Sequence, residues 1–472
     1  MAMFVPGGQE ETSGPDVPSL TRRGDQRAPT SQPTSARTPY RARIMALTAG
    51  AAGIIALPFA YYARTWQSFT TVRDICPISF CDFVDYYYPM GEAIFRTGLP
   101  VSGFLYSPFV AILLAVFPPL GLNASLVLWG ILQVLFVSLY VLLFRRLVPA
   151  GLPIQLLFVA LTLSSYPLLL NLMAGQVSVF IIVGLLGMLV LYERGRRAAA
   201  AGLLAFAVSL KYYPIIFLAP FAARRDTRFL LFAAAACGAF LFVVPGLLLG
   251  GGDTLGFYGA LLDAFRDSGW VVVNPHSQYL PHVVLRVADA MGLDAHTHLP
   301  LLRWIGFGVA AANMGLIFLV QRARLRHADL WSVQLVFLTI PFLLKTSWPH
   351  DFVFLPFTQA CLAWRLLEVE KAAPGTDPAG RRSQARAWRE RVPRGRTAVT
   401  WFLLLVSIVF PNIFFFSLFG SFVGYGSVSF LFWANLLLLI ALYMELLPPA
   451  LRQIGIPNQR PNNILEPLRG TN

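Results

Sequence analysis

Residues 123–146 read Asn-Ala-Ser-Leu-Val-Leu-Trp-Gly-Ile-Leu-Gln-Val-Leu-Phe-Val-Ser-Leu-Tyr-Val-Leu-Leu-Phe-Arg-Arg. From Asn123 to Phe144 the run carries no charged side chain, and it ends on the pair Arg145-Arg146. A hydrocarbon core about 30 Å thick takes roughly 20 apolar residues of helix. The stretch is therefore long enough to cross a bilayer, and arginines at one end mark that end as cytoplasmic under the positive-inside rule.

The pattern recurs along the chain. Of the 472 residues, 56% are hydrophobic and 13% charged, about half the charged content of a soluble domain. Candidate spans are 44–63, 123–144, 153–171, 176–192, 229–249, 301–320, 329–345, 348–366, 399–418 and 428–446. The fold class is an all-α polytopic membrane protein. The net charge of +14 sits largely in short arginine blocks between apolar runs, as topology and anionic headgroups require. It gives no reason to invoke nucleic acid. Residues 1–40, rich in Pro, Ser, Thr and Arg, read as a disordered cytoplasmic tail. A catalytic transmembrane domain over 41–366, a basic cytoplasmic loop over 367–398, a transmembrane hairpin over 399–446 and a cytoplasmic tail over 447–472 complete the organisation.

Two apolar stretches fit poorly as simple spans. Residues 104–120 stop at Pro118-Pro119, and 198–223 are interrupted by Lys211 and Pro214. Keeping Arg145-Arg146, Arg194–Arg197, Arg224–Arg228 and Arg322–Arg326 on one side requires 104–120 to lie at the outer interface or re-enter. It also requires 198–223 to enter, break near Lys211 and return. The alternative is one ordinary span with Arg225 outside. Broken backbone at membrane depth is tolerated where protein covers it or it lines a cavity, so the break itself points to a site. On this topology both termini are cytoplasmic. Two large loops, 64–123 and 250–300, face outward with the turn at Gly175-Gln176 and the segment 346–350.

The outward side holds the polar residues that look purposeful. Cys81-Asp-Phe-Val-Asp85-Tyr86-Tyr87-Tyr-Pro-Met-Gly91 sets two carboxylates and three tyrosines beside the membrane. On an α-helix Asp82 and Asp85 share a face, with Tyr86 and Met90 near it. A carboxylate against apolar surface gains proton affinity and suits a general base, although Asp82 is also placed to cap the helix. A lysine inside an apolar run, Lys211, is costly and by default functional; the alternative is snorkelling to the interface. Thr346-Ser-Trp348-Pro-His350-Asp351 offers an acid/base or phosphate-binding imidazole and a tryptophan suited to stacking on a sugar, or else an interfacial aromatic belt. Asn274-Pro-His276-Ser-Gln278 is a polar turn in the second outer loop. Asn171 and Gln176 flank a short turn, where an amide can bond a sugar hydroxyl or satisfy helix ends. His296 and His298 read as solvent-exposed rather than metal-binding. Cys76 and Cys81 can form a disulfide directly before Asp82 if that side is oxidising.

Taken together, Asp82-Phe-x-x-Tyr86-Tyr87, Gly91-Glu-Ala-Ile and Phe104-Leu-Tyr106-Ser-Pro108-Phe resemble the first-loop signature of glycosyltransferase family 87. Gly175-Gln176, Gly202 to Lys211-Tyr-Tyr-Pro214, Asn274 to Gln278 and Ser347-Trp-x-His350 are similar to further landmarks in the same order, over roughly 44–365. The resemblance implies a GT-C-like fold with about 10–12 transmembrane helices, a length the apolar runs allow. It implies an outward active site and a polyprenyl-phosphate-sugar donor, with mannose as the sugar and a lipid or glycan acceptor. It assigns Asp82 as the base that deprotonates the acceptor and gives His350 a catalytic role. The substrate-binding set then comprises Asp85, Tyr86, Tyr87, Gln176, Lys211, Asn274, His276 and Trp348. The chain departs from the family pattern at Asp351, where a second histidine often follows, and at Lys345-Thr346, where a proline is frequent. No cofactor or metal is called for. A transporter or lipid flippase working through the Lys211 region is the rival reading, and a non-catalytic assembly subunit a second.

Overall fold

The computed structural model describes residues 76, 80–266, 274–294, 296–371, 394–419 and 422–455. The expected first span 44–63, the tail 1–40 and most of the basic loop 367–398 lie outside the described residues. Within them the architecture is all-α. Four helices are long and apolar enough to cross a membrane, or five if the bent pair Tyr166–Ala174 and Ser178–Glu193 counts as one span.

The chain enters through a π-turn, Phe83–Tyr87, which runs straight into helix α1 (Tyr88–Thr97). Helix α2 (Pro108–Leu114) is seven residues long. At 1.5 Å per residue it covers only about 10 Å, so the 104–120 stretch does not cross as a single helix. It packs against α1 at Gly91, where a Cβ would lie 2.5 Å from the Leu114 carbonyl oxygen. Helix α3 (Leu122–Leu147) is the long opening span, with Arg145 and Arg146 in its last turn. Val127, Ile131 and Val134 on its outer face are more than half exposed, as a lipid-facing surface requires.

The expected span 153–171 is two helices, α4 (Leu152–Leu163) and α5 (Tyr166–Ala174). The expected span 399–418 also divides, into α15 (Arg394–Val409) and α16 (Ile413–Ser417). The two breaks satisfy each other. Tyr166 N–H donates to the Pro411 carbonyl at 2.8 Å, and Ile413 N–H donates to the Ser164 carbonyl at 2.8 Å. Each break frees backbone groups that hydrocarbon cannot solvate, and pairing them removes that cost.

Helices α6 (Ser178–Glu193) and α13 (Ala328–Leu343) are buried along most of their length, on all sides, within the bundle. Around α6 lie α3 and α7 (Arg197–Leu210), and α7 also packs on α9 (Thr227–Leu249). Between α7 and α9 come a 3-10 turn, Tyr213–Leu218, and the short helix α8 (Ala219–Ala223). Arg197 Nε lies 2.8 Å from Asp226 Oδ2, so the two ends of this stretch touch. One straight pass over the same residues would separate them by about 40 Å. The stretch therefore reverses at its break, which falls at Lys211, an extended residue between α7 and the 3-10 turn. Ordinary single-span geometry does not describe it.

The rest of the chain adds α10 (Gly251–Arg266), α11 (Leu280–Ala290) and α12 (Leu299–Arg322), the last packed on α13. A 3-10 turn, Pro349–Phe354, precedes α14 (Leu355–Lys371). After α15 and α16 come α17 (Phe422–Val428) and α18 (Phe430–Gly455). The last helix runs nine residues past the expected end at 446. α15 and α18 pack on α14, inside the same hydrophobic core.

Candidate active site

The π-turn decides where Asp82 points. Its wider winding brings residues five apart onto one side, so Asp82 and Tyr87 converge on the same partner, Gln176. The Gln176 amide Nε2 donates to Asp82 Oδ2. Its Oε1 lies 3.1 Å from the Tyr87 hydroxyl and 3.0 Å from the Tyr106 hydroxyl, which are themselves 2.6 Å apart. The expectation that Asp82, Asp85 and Met90 share a face fails for the same reason. Asp85 is exposed and Met90 is buried. Nor does the Asp82 side chain cap the helix that follows it.

Gln176 itself is held on every side. It follows Gly175, which sits at φ +72 and whose carbonyl accepts from Trp129 Nε1 at 2.9 Å. A Cβ at Gly175 would come within 3.0 Å of Phe80 Cβ and of Trp129 Nε1. The Gln176 N–H donates to the Asn171 carbonyl at 2.8 Å, and its carbonyl accepts from Gln133 Nε2 at 2.8 Å. The Asn171 side chain donates to Gln133 Oε1 at 3.2 Å and so steadies the amide that holds the Gln176 carbonyl. A second brace comes from the Cys76–Cys81 disulfide, directly before Asp82. Phe80, within its loop, donates its N–H to the Met173 carbonyl at 2.6 Å.

Lys211 forms the second half of the site. Its Nζ lies 2.7 Å from Asp351 Oδ1 and 3.2 Å from His350 Nε2. An ammonium only donates, so Nε2 accepts and the ring proton sits on Nδ1. Asp351 also accepts from Ser178 Oγ at 3.1 Å and from the Trp348 N–H at 3.2 Å. Ser178 is two residues beyond Gln176, at the positive end of the α6 dipole, where a carboxylate is favoured. Ser107 Oγ donates to the Ser209 carbonyl at 2.7 Å and ties the Tyr106 segment to the end of α7. The start of α6 thus joins both halves, with Gln176 on Asp82 and Ser178 on Asp351.

Burial pushes the Asp82 carboxyl above the ordinary carboxylate range. The Gln176 hydrogen bond and the charge of Lys211 pull it partly back, and Asp85 adds a small push upward. An apolar cavity of about 250 Å³ lies between α2, α3, α6 and α7, with Tyr87 in its wall.

The other sequence-marked residues take different places. Tyr86 is half-buried with its ring against Gly103, and Tyr87 is fully buried. Asn274 Oδ1 accepts from the His276 N–H at 2.9 Å, which closes the polar turn locally. The His276 ring lies against Phe422, tilted by 32°, with centroids 3.5 Å apart. Arg286 holds this turn through the Asn274 and Ser277 carbonyls, and Gln278 N–H donates to the Ser347 carbonyl at 2.8 Å. The turn therefore braces the segment leading to His350. His296 and His298 sit in an exposed 3-10 turn. Ser178 and the role of Tyr106 went unread in the sequence. Ser178 looks like one more small residue opening an apolar run, whereas Tyr106 at least stands in a motif.

The family model described as glycosyltransferase family 87 matches residues 104–347, just over half of the chain. The chain belongs to glycosyltransferase family 87. Membership makes it a membrane glycosyltransferase, with sugar donor and acceptor as its substrates. The matched region contains Tyr106, Gln176, Lys211 and the Asn274–Gln278 turn. Asp82 lies before it, and Trp348, His350 and Asp351 lie just after it. No curated protein and no solved structure matches the chain.

Proposed function

We propose that this family 87 glycosyltransferase moves a hexose, mannose, from a polyprenyl-phosphate-sugar donor to a lipid or glycan acceptor. The reaction takes place on the outer face of the membrane, with both termini of the chain cytoplasmic. Residues 41–366 carry the chemistry and the hairpin from 399 supports it. The observation that carries this reading is the pairing of a partly buried carboxylate, Asp82, with the Lys211–His350–Asp351 cluster at the start of one helix.

The mechanism is a single inverting displacement. Asp82 takes the proton of the acceptor hydroxyl as that oxygen bonds to the anomeric carbon. The bond from the anomeric carbon to phosphate breaks, and the polyprenyl phosphate leaves with the electron pair. Its growing negative charge is met by His350, which offers Nδ1–H, with the Lys211 ammonium behind it. Such donors act most strongly when fixed before the reaction, and the ion pair to Asp351 supports that fixing. Asp85, Tyr86 and Trp348 are the side chains proposed to touch substrate on the open side. Asn274 and His276 contribute by bracing the His350 segment.

The donor assignment is tested with purified protein in proteoliposomes. Label from polyprenyl-phosphate-[14C]mannose is expected in the acceptor fraction, with inversion at the anomeric carbon. Transfer from a nucleotide sugar alone would overturn the donor assignment.

A further inference from the structure

Gln176 has a four-part amide inventory: two N–H donors and two acceptor lone pairs on oxygen. Two phenol groups, Tyr87 and Tyr106, reach its Oε1 at 3.1 and 3.0 Å. Their hydroxyls are also 2.6 Å apart. Each phenol has one proton, so one hydroxyl donates to the other and the chain of donors ends on Oε1. An amide turned the other way would set its carbonyl oxygen against the acceptor-only Asp82 carboxylate and take Oε1 away from the last phenol proton. Asp82 and the tyrosines together therefore fix the amide with Nε2 toward Asp82. The backbone cannot swing it away, because its N–H and C=O are both bonded, to Asn171 and Gln133. One carboxylate oxygen, Oδ2, is tied down, and among the described residues no hydrogen-bond donor reaches Oδ1.

We propose that Gln176 is a positioning residue, held by Tyr87 and Tyr106, that orients the Asp82 carboxylate rather than binding the sugar. The proposal rests on the reading of Asp82 as the base. The charged and titratable groups that act on Asp82 are Lys211 from the end of α7 and Asp85 from its own turn. Asp82 in turn acts on the neighbouring phenols Tyr86, Tyr87 and Tyr106, the last two also under the influence of Asp351. The Gln176 bond favours the ionised carboxylate, as does Lys211.

Steady-state kinetics across pH, on full-length protein in proteoliposomes with polyprenyl-phosphate-mannose, tests the proposal. Gln176→Met is expected to lower kcat about 10- to 100-fold, the scale of a lost hydrogen bond to a charged group. The donor KM should stay within about threefold, a small shift in free energy, and the acid limb of the profile should move to higher pH. Gln176→Glu keeps size and the acceptor for the tyrosines but turns a carboxylate oxygen toward Asp82. It should move the acid limb further in the same direction. A raised KM with kcat and acid limb unmoved in both variants would make Gln176 a sugar ligand and overturn the proposal. Mass spectrometry of the Cys76–Cys81 disulfide confirms that each variant is folded around the site. Full activity in Asp82→Asn would remove the underlying reading instead, and that outcome is separate from both.

Discussion

The Lys211 ammonium sits 2.7 Å from Asp351 Oδ1, across 140 positions of sequence, with Asp351 almost wholly buried. The pair closes the break between α7 and the following 3-10 turn onto the His350 segment. Removing one partner of such a pair leaves an uncompensated charge and costs about 3–5 kcal/mol. Lys211→Met should therefore lower the thermal midpoint in detergent sharply. The double variant Lys211→Met, Asp351→Asn should recover part of that loss. A transport role for this region predicts something different, namely lipid scrambling in proteoliposomes that needs Lys211 and no sugar donor.

The Cys76–Cys81 disulfide closes a short loop over residues that end on Asp82. Loop-closure entropy for this length gives about 2 kcal/mol of stabilisation. Replacing both cysteines with serine is expected to lower stability by that amount. Because Asp82 is the next residue, kcat should fall as well, while the donor KM holds. Differential scanning fluorimetry and transfer kinetics on the same preparation read both effects.

Gly175→Ala is the sharpest backbone test. The residue sits at φ +72, a conformation that costs an alanine about 1–2 kcal/mol, and a Cβ there meets Phe80 and Trp129 at 3.0 Å. Phe80 precedes Cys81 and Asp82, so the push is transmitted to Asp82. Transfer activity should fall further than stability predicts, measured against Gly202→Ala, where an added Cβ meets nothing within 4 Å.

The residues that gather at the candidate site were easier to read in the sequence than the path of the backbone. Asp82, Lys211 and His350 stand out because a charge or imidazole in an apolar chain needs a reason, and the structure gathers their partners around the start of α6. The break at Lys211 was legible for the same reason, from arginines that had to stay together. The shared face of Asp82 and Asp85 fails because an α-helical period does not apply where the chain makes a π-turn, and nothing in Phe-Val-Asp-Tyr-Tyr announces one. The breaks at Ser164-Ser165 and Phe410–Asn412 were hidden within apolar runs that look continuous. They persist because each satisfies the other's backbone, a tertiary fact. Asn274 and His276 read as ligands; in the structure the Asn274 side chain closes its own turn and the His276 ring lies against Phe422.

Asp82 also ties activity to pH. Its proton affinity is raised in the folded state by burial, so the folded chain binds this proton more tightly than the unfolded chain. Stability from this group then falls as pH rises from the unfolded value of 3.8 through the folded one. With Asp82 as the proposed base, activity is expected to need the ionised form and to rise over the same window. Asp82→Asn should therefore be at least as stable as the parent above that window, in the manner of functional groups held at a cost to stability. Thermal midpoints from pH 4 to pH 8 test this; a lower midpoint for Asp82→Asn throughout would contradict it.

The most direct measurement is transfer of radiolabelled mannose from polyprenyl-phosphate-mannose to membrane acceptors by the parent protein and by Asp82→Asn, at equal protein and equal thermal midpoint. General-base catalysis contributes about 100- to 10,000-fold, and a loss of at least 100-fold is the predicted result. Equal transfer by the two proteins would contradict the assignment of Asp82 as the base.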